Sequence, residues 1–385
     1  MLLLKNAKIL TMAGKDYECG DILIKDGKFA KVAGEIESEG CKVIDLSGKI
    51  VMPGIIDAHC HIGMWEDGMD FEGADGNEEC EPLTPELMAI DAVNPFDRAF
   101  TEARNAGVTT VVTGPGSANV IGGQFVALKT VGTSVDEMII KQPAALKVAF
   151  GENPKRVFSE EKKSPMTRMA TAAMLRQTLT EAQEYKKSID RAKKKEEDPP
   201  EKDFKKEAVL PAITGELMVK AHAHRADDIL TAIRIAREFN LKLSIDHCTE
   251  GYLIPEYVKK SGAKVILGPL LTERAKIELK NLTFAAPKIM AENGIPFAIM
   301  TDHPVIPIQH ILISVALAVK EGLDEKTALE SVTINAAKCC ELEDRVGSIE
   351  AGKDADLVIF NGPPLDISSR VKMVLIDGNV VFEEK

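Results

Sequence analysis

His59 and His61, in the run Pro53-Gly54-Ile55-Ile56-Asp57-Ala58-His59-Cys60-His61, stand one residue apart at the end of an apolar, β-prone segment. Side chains at i and i+2 share one face of a strand, so both imidazoles point the same way. Two imidazoles on one face, with Asp57 just upstream, can form half of a metal site. If the other half exists, the chemistry is hydrolysis by a metal-activated water.

Candidates for the other half lie further along the chain. Lys147, His222, His247 and Asp302 each fall at the end of a different apolar run. Each has an ordinary alternative. Lys147 could be a snorkelling structural lysine, and His247 alone would more often be a non-ligand. Asp302 could cap a helix or sit in a turn. His222-Ala223-His224 is a second H-x-H, from which one ligand must be chosen. The argument comes from the set, because independent accidents rarely land on successive strand ends.

The elements that must position these residues alternate along the middle of the chain. Strand-like runs cover 50–56, 109–113, 144–149, 218–221, 243–245, 264–267 and 297–300, with a further short one near 120–128. Helical patterns over 96–106 and 226–239 lie between them. Near-continuous apolar strands in repeated βα units imply a parallel sheet, and about eight such units fit an α/β fold of the (β/α)8 TIM-barrel type. In such a barrel the strand ends converge on one face. A long helical pattern over 164–195, ending in Lys193-Lys194-Lys195, reads as an inserted helix and a solvated loop. Both chain ends carry short strands with Asp-Gly turns (Asp26-Gly27 and Asp377-Gly378). Residues 1–52 and 353–385 are therefore expected to pair into one small composite β-sandwich domain, with the barrel over 53–352.

Composition narrows the function classes. A net charge of −12 argues against nucleic acid or an anionic membrane as partner. No apolar run approaches the ~20 residues that span a bilayer, and the apolar start at Met1–Leu4 is too short for a secretory signal. Seven cysteines without a C-x-x-C pair suit free thiols in a reducing cytoplasm. Cys60 and Cys248 read as core cysteines. The expected partner is a small-molecule substrate; assembly into a homo-oligomer stays open. The run Gly114–Gln124 lacks the spacing of a phosphate loop and reads as a loop at the barrel mouth. Trp65 and the acidic loop Glu66–Asp70 are expected to shape the rim.

The motifs PGIIDAHCHIG (53–63), KAHAHRADDI (220–229), SIDHCTEG (244–251), MTDHP (300–304) and GSIEAGKDADLVIF (347–360) resemble those of the amidohydrolase superfamily, in its imidazolonepropionase-like and prolidase-like branch. They keep the family order over nearly the whole chain. The resemblance implies a divalent cofactor, zinc foremost, as one ion or two. His59 and His61 would hold the first with Asp302; His222 and His247 would hold a second. Lys147, as a carbamate on the fourth strand, would bridge them, with Glu152 as the other candidate bridge. Asp302 would also act as general base. His224, Arg225 and His303 are candidate substrate contacts, and Arg168, Tyr252 and Arg274 could face the mouth. The expected reaction is hydrolysis of a C–N bond, linear or cyclic, in a small molecule such as an N-acyl amino acid or dipeptide. One alternative is deamination of a heterocycle, against which Arg225 counts because the deaminases resemble H-x-x-E at that position. The other is a non-catalytic scaffold on the same fold without metal.

Overall fold

The computed structural model describes residues 1–384. Strands β1 Leu2–Ile9, β2 Tyr17–Lys25, β3 Lys28–Ala33, β4 Lys42–Asp45 and β5 Ile50–Pro53 open the chain. The central strands are β6 Ile55–Cys60, β7 Val108–Thr113, β8 Ile121–Lys129, β9 Ile139–Ala149, β10 Met218–Ala223, β11 Leu243–His247, β12 Lys264–Leu267 and β13 Ala298–Ile299. The chain closes with β14 Leu357–Phe360, β15 Val371–Ile376 and β16 Asn379–Glu383.

The first and last groups share one eight-stranded sheet in the order β16-β15-β14-β5-β1-β2-β3, with β4 also bonded to β1. The two termini therefore meet. Their hydrogen bonds make a single sheet forked at β1, not two separately bonded layers, around a core that includes Leu4, Ile22, Phe29, Leu357 and Leu375. The run 50–56 is two strands. It divides at Gly54, where a Cβ would fall 2.0 Å from Thr109 Oγ1, so only glycine lets the chain step from one sheet to the other.

β6 to β13 form the second sheet in chain order, nearly closed into a barrel. It is not all-parallel. β8 runs antiparallel to both β7 and β9, while β9 to β13 and the pair β6–β7 are parallel. The reason lies in the connections. Seven residues with no helix join β7 to β8, and one four-residue helix lies between β8 and β9. Short links give antiparallel neighbours; a parallel neighbour needs a longer crossover. Elsewhere the crossovers are helical. Helix Arg98–Asn105 is capped by Asp97, and Ala226–Phe239 buries Ile229, Ile233 and Ala236. Helix Arg168–Lys195, capped by Thr167, packs against helix Phe204–Ile213 and ends in exposed lysines. Helices and the terminal sheet cover the outer face, so every residue of β6, β7, β10 and β11 is buried.

The barrel interior is apolar at the base, where Ala336, Ala337, Cys339 and Cys340 close it. It is polar at the opposite end. The last gap, between β13 and β6, is bridged by two backbone bonds: Asp302 N–H donates to His59 O (3.2 Å) and His61 N–H donates to His303 O (2.8 Å).

At the foot of β8, Lys129 fastens the barrel to the terminal sheet. Its ammonium lies 2.6 Å from Asp356 and 3.2 Å from Asp354, all three nearly inaccessible. Lys129→Met would leave Asp356 buried without its cation, whereas Asp354 keeps Lys28 and Arg345. The expected loss is about 3–5 kcal/mol, read as a fall in the urea midpoint; an unchanged midpoint would show that the pair contributes nothing net.

Candidate metal centre

His59 and His61 leave β6 with their rings toward the barrel axis, and their outer nitrogens are both engaged. His59 Nδ1–H donates to Asp246 Oδ2 at 2.7 Å, and His61 Nδ1–H donates to the carbonyl of Gly114 at 2.7 Å. Both acceptors can only accept, so each neutral ring keeps its lone pair on Nε2. Those two lone pairs face Asp302 Oδ1 at 3.4 and 3.2 Å. The same oxygen is buried without a hydrogen-bond donor. Three electron-pair donors around one point, with no proton among them, fit a divalent cation.

The second group is imidazole throughout. His222, His224 and His247 bring their nitrogens together at the ends of β10 and β11. His247 Nδ1–H donates to Gly268 O (2.9 Å), leaving its Nε2 lone pair 2.8 Å from His222 Nδ1. His224, expected to touch substrate, therefore lies within this group; its Nδ1 meets Thr249 Oγ1 at 2.7 Å. The backbone bends sharply to aim these groups. His247 and Asp302 sit at φ 69° and 56°, in the left-handed region that non-glycine residues rarely occupy and that clusters at functional sites.

Beneath the imidazoles lies a buried charge network. Asp246 accepts from His59, from Ser244 Oγ (2.8 Å) and from Lys220 Nζ (3.2 Å). Burial opposes its ionisation, but Lys220 and His59 hold it well below the usual carboxylate range. Lys147 is wholly buried, with Nζ 3.5 Å from His59 Nε2 and register-paired with Lys220 on the next strand. Burial pulls its ammonium down to about 8, against the attraction of Asp246 and Asp302. Phe125 forms the floor, its ring centroid 5.4 Å from Lys147 Nζ and 5.5 Å from Lys220 Nζ. Asp57 braces the seam by accepting from Thr301 Oγ1 and the His59 amide, and burial pushes its carboxyl up to about 7.

The mouth is a cavity of about 440 Å³ lined by His61, Trp65, Ser117, Lys147, Asn153, Arg156, His222, His224, His247, Lys276 and Asp302, among others. That is room for a small molecule. Trp65 stands at the rim, its ring centroid 4.9 Å from that of His61.

Several expected contacts lie elsewhere. Arg225 forms a bidentate pair with Asp227 at 2.9 Å, and Arg168 does the same with Asp228 at 2.8 and 3.0 Å. Tyr252 donates to Asn281 O and Arg274 to Leu282 O. None of these four lines the cavity, nor does Glu152. His303 borders a neighbouring pocket beside Trp65 and Asp67. Its Nδ1 accepts from Ile308 N–H at 3.2 Å. Cys60 and Cys248 are buried free thiols, Cys248 pushed up to about 12 by burial.

Residues that sequence reasoning missed are Asp246, Lys220, Arg156, Lys276 and Glu278. Lys220 carried the same signal as Lys147, a lysine inside an apolar strand. Glu278 carried none: it lies on a one-turn 3-10 helix, Ile277–Leu279, after β12 and is buried against His222 and His224, with Oε1 3.8 Å from Nε2 of each. Burial would raise its carboxyl, but the two imidazoles and the Glu152 amide lower it to about 2.

The amidohydrolase family model matches residues 50–381. The chain belongs to the amidohydrolase family. A solved amidohydrolase from Thermotoga maritima is 44% identical, with full coverage of both chains and a TM-score of 0.98. Amidohydrolase tasK of Hapsidospora irregularis is 29% identical over 95% of this chain and 40% of its own length. An adenine deaminase from Listeria monocytogenes is 27% identical over 99% of this chain and 57% of its own. The chain thus spans about half the length of these curated relatives. A prolidase solved with N-methylphosphonate-L-proline shares the fold, at a TM-score of 0.63 and 18% identity. Among the described residues, no helix of this family member is long and apolar enough to cross a membrane.

Burial pulls His59, His222, His224 and His247 below the ordinary imidazole range. Burial, then Lys147, lowers His59 from 6.5 to about 4; burial, then His222, lowers His224 from 6.5 to about 3. Between those values and 6.5 the unfolded chain binds protons that the folded chain does not, so stability must fall as pH falls through that window. Chelator-treated protein is expected to lose roughly 1.4 kcal/mol per pH unit for each such histidine below about pH 6.5. Urea midpoints at pH 7 and pH 5 check this, and equal midpoints would show that the rings take up protons in place.

Proposed function

We propose that this amidohydrolase is a metal-dependent enzyme that cleaves a C–N bond of a small molecule, an amide of an N-acyl amino acid, a dipeptide or a cyclic amide. The observation that carries the reading is the convergence of the His59 and His61 lone pairs on a donor-free oxygen of Asp302. His59, His61 and Asp302 would hold one ion, and His222 and His247 a second, with zinc the first candidate for both. Lys147 would serve as the bridge. An amine titrating near 8 has a larger neutral fraction at physiological pH than an ordinary lysine, and the neutral amine can add carbon dioxide, with loss of a proton, to give a carbamate.

When bound, a divalent ion supplies an acidified water and stabilises charge that develops on the carbonyl oxygen. The chain's own residues do the rest. Asp302 accepts the proton of the attacking water and returns it to the leaving nitrogen. Asp246 fixes the His59 ring, and Trp65 covers one side of the mouth. Deamination of a heterocycle is the second reading, favoured by the adenine deaminases among the relatives. It breaks a C–N bond with the same machinery and releases ammonia. A non-catalytic scaffold is the reading least suited to the retained donor set.

The zinc- or manganese-loaded protein should hydrolyse members of a panel of N-acyl amino acids, dipeptides and cyclic amides. Adenine in the same panel, with ammonia as readout, separates the second reading. Purified protein that takes up no zinc or manganese would rule out the enzyme reading in either form. His59→Asn should lower metal content and abolish turnover in a protein that stays folded. Asp302→Asn should cost about 100-fold or more in kcat; wild-type turnover would remove it as the base.

A further inference from the structure

The proton inventory of His222 leads to a role for Glu278. His247 Nδ1–H is committed to Gly268 O, so the 2.8 Å contact between His247 Nε2 and His222 Nδ1 holds one proton, and it belongs to His222. An ion held by these two nitrogens requires a lone pair on each. A neutral His222 must then carry its proton on the opposite nitrogen, Nε2. That nitrogen is buried and has no hydrogen-bond partner. The nearby carboxylate oxygen, Glu278 Oε1, lies 3.8 Å away and is also buried without a partner.

We propose that Glu278 is the positioning residue of the second ion site: it accepts the proton of His222 at Nε2 and thereby selects the tautomer whose Nδ1 can bind metal. The inference rests on the proposed two-ion reading and adds a residue to it. Asp246 has the equivalent relation to His59, with the contact already at 2.7 Å. At Glu278 an approach of about 1 Å completes the bond to His222. The side chain is anchored for that task. Its Oε2 accepts from Glu152 N–H at 3.1 Å. Gly151, at φ 84°, supplies the turn, and a Cβ there would come within 3.0 Å of the same oxygen. A carboxylate is needed because both oxygens must accept. Glutamine at this position would keep the Glu152 bond through its carbonyl oxygen and present its NH2 group to His222. A donor there stabilises the tautomer that cannot bind the ion.

The test is zinc binding, by competition titration, to wild type, Glu278→Gln and Glu278→Ala, with nitrogen NMR of histidine-labelled protein. Loss of an outer-shell partner lowers metal affinity about 10- to 100-fold. That loss is expected at the His222/His247 site in both variants, with the His59/His61 site unchanged. The isosteric glutamine should be at least as damaging as alanine, the reverse of a packing role. In wild-type spectra, zinc should move the His222 proton from Nδ1 to Nε2. Wild-type affinity in Glu278→Gln, or a His222 proton unmoved by zinc, overturns the inference while leaving the metal reading intact. Wild-type protein with one ion, none at His222 and His247, also overturns it. Uptake of no ion at all removes the proposed function as well.

Discussion

The site rests on one buried carboxylate. Asp246 sits inside the barrel with no access to water, a position that is costly for a charge unless it is paired and hydrogen-bonded. Lys220 and Ser244 meet that requirement from the barrel wall, and the remaining acceptor capacity goes to His59. The imidazole that opens the metal motif is thus oriented from beneath by the interior of the barrel, not by the loops above it. Lys147 and Lys220 lie side by side because β9 and β10 are in register, and Phe125 keeps water from reaching either from below. Replacing any one of these groups changes the charge balance of all of them.

The same few residues also close the barrel. The backbone bonds between His59 and Asp302, and between His61 and His303, span the gap that no strand ladder covers. Closure and the placement of the first donor group therefore depend on the same contacts: His59 and His61 come from one side of the seam and Asp302 from the other. The left-handed backbone at His247 and Asp302 belongs to the same compromise, since it costs energy locally and is held only by a completed surround.

Much of this was legible from residue types alone. H-x-H after an apolar run, a second H-x-H, and single His and Asp residues at later strand ends placed the two donor groups on one face. The pairing of the two termini followed from their shared Asp-Gly idiom. What the chain did not reveal has physical reasons. Strand direction at β8 depends on connection length, and an apolar run reads the same both ways. Arg225 suits a substrate carboxylate as well as it suits Asp227 or Asp228, and the structure gives it Asp227; Arg168, which could face the mouth, is held by Asp228, sixty residues away. His224 shares a strand face with His222, so spacing could not divide ligand from neighbour. Glu278 lies on a single 3-10 turn, Ile277–Leu279, too short to leave a periodic signal.

The reversed strand has a further consequence. Because β8 enters at the mouth and leaves at the base, the rim beside His61 is a hairpin bend over residues 114–120 rather than a strand-to-helix loop. Gly116 and Ser117 on that bend line the cavity. A hairpin can lengthen or shorten at its tip without displacing any helix of the outer layer or altering the seam. Gly114, at the start of the bend, accepts from His61 Nδ1–H, so pocket shape can change at the tip only while this first residue stays in place to hold the ligand ring.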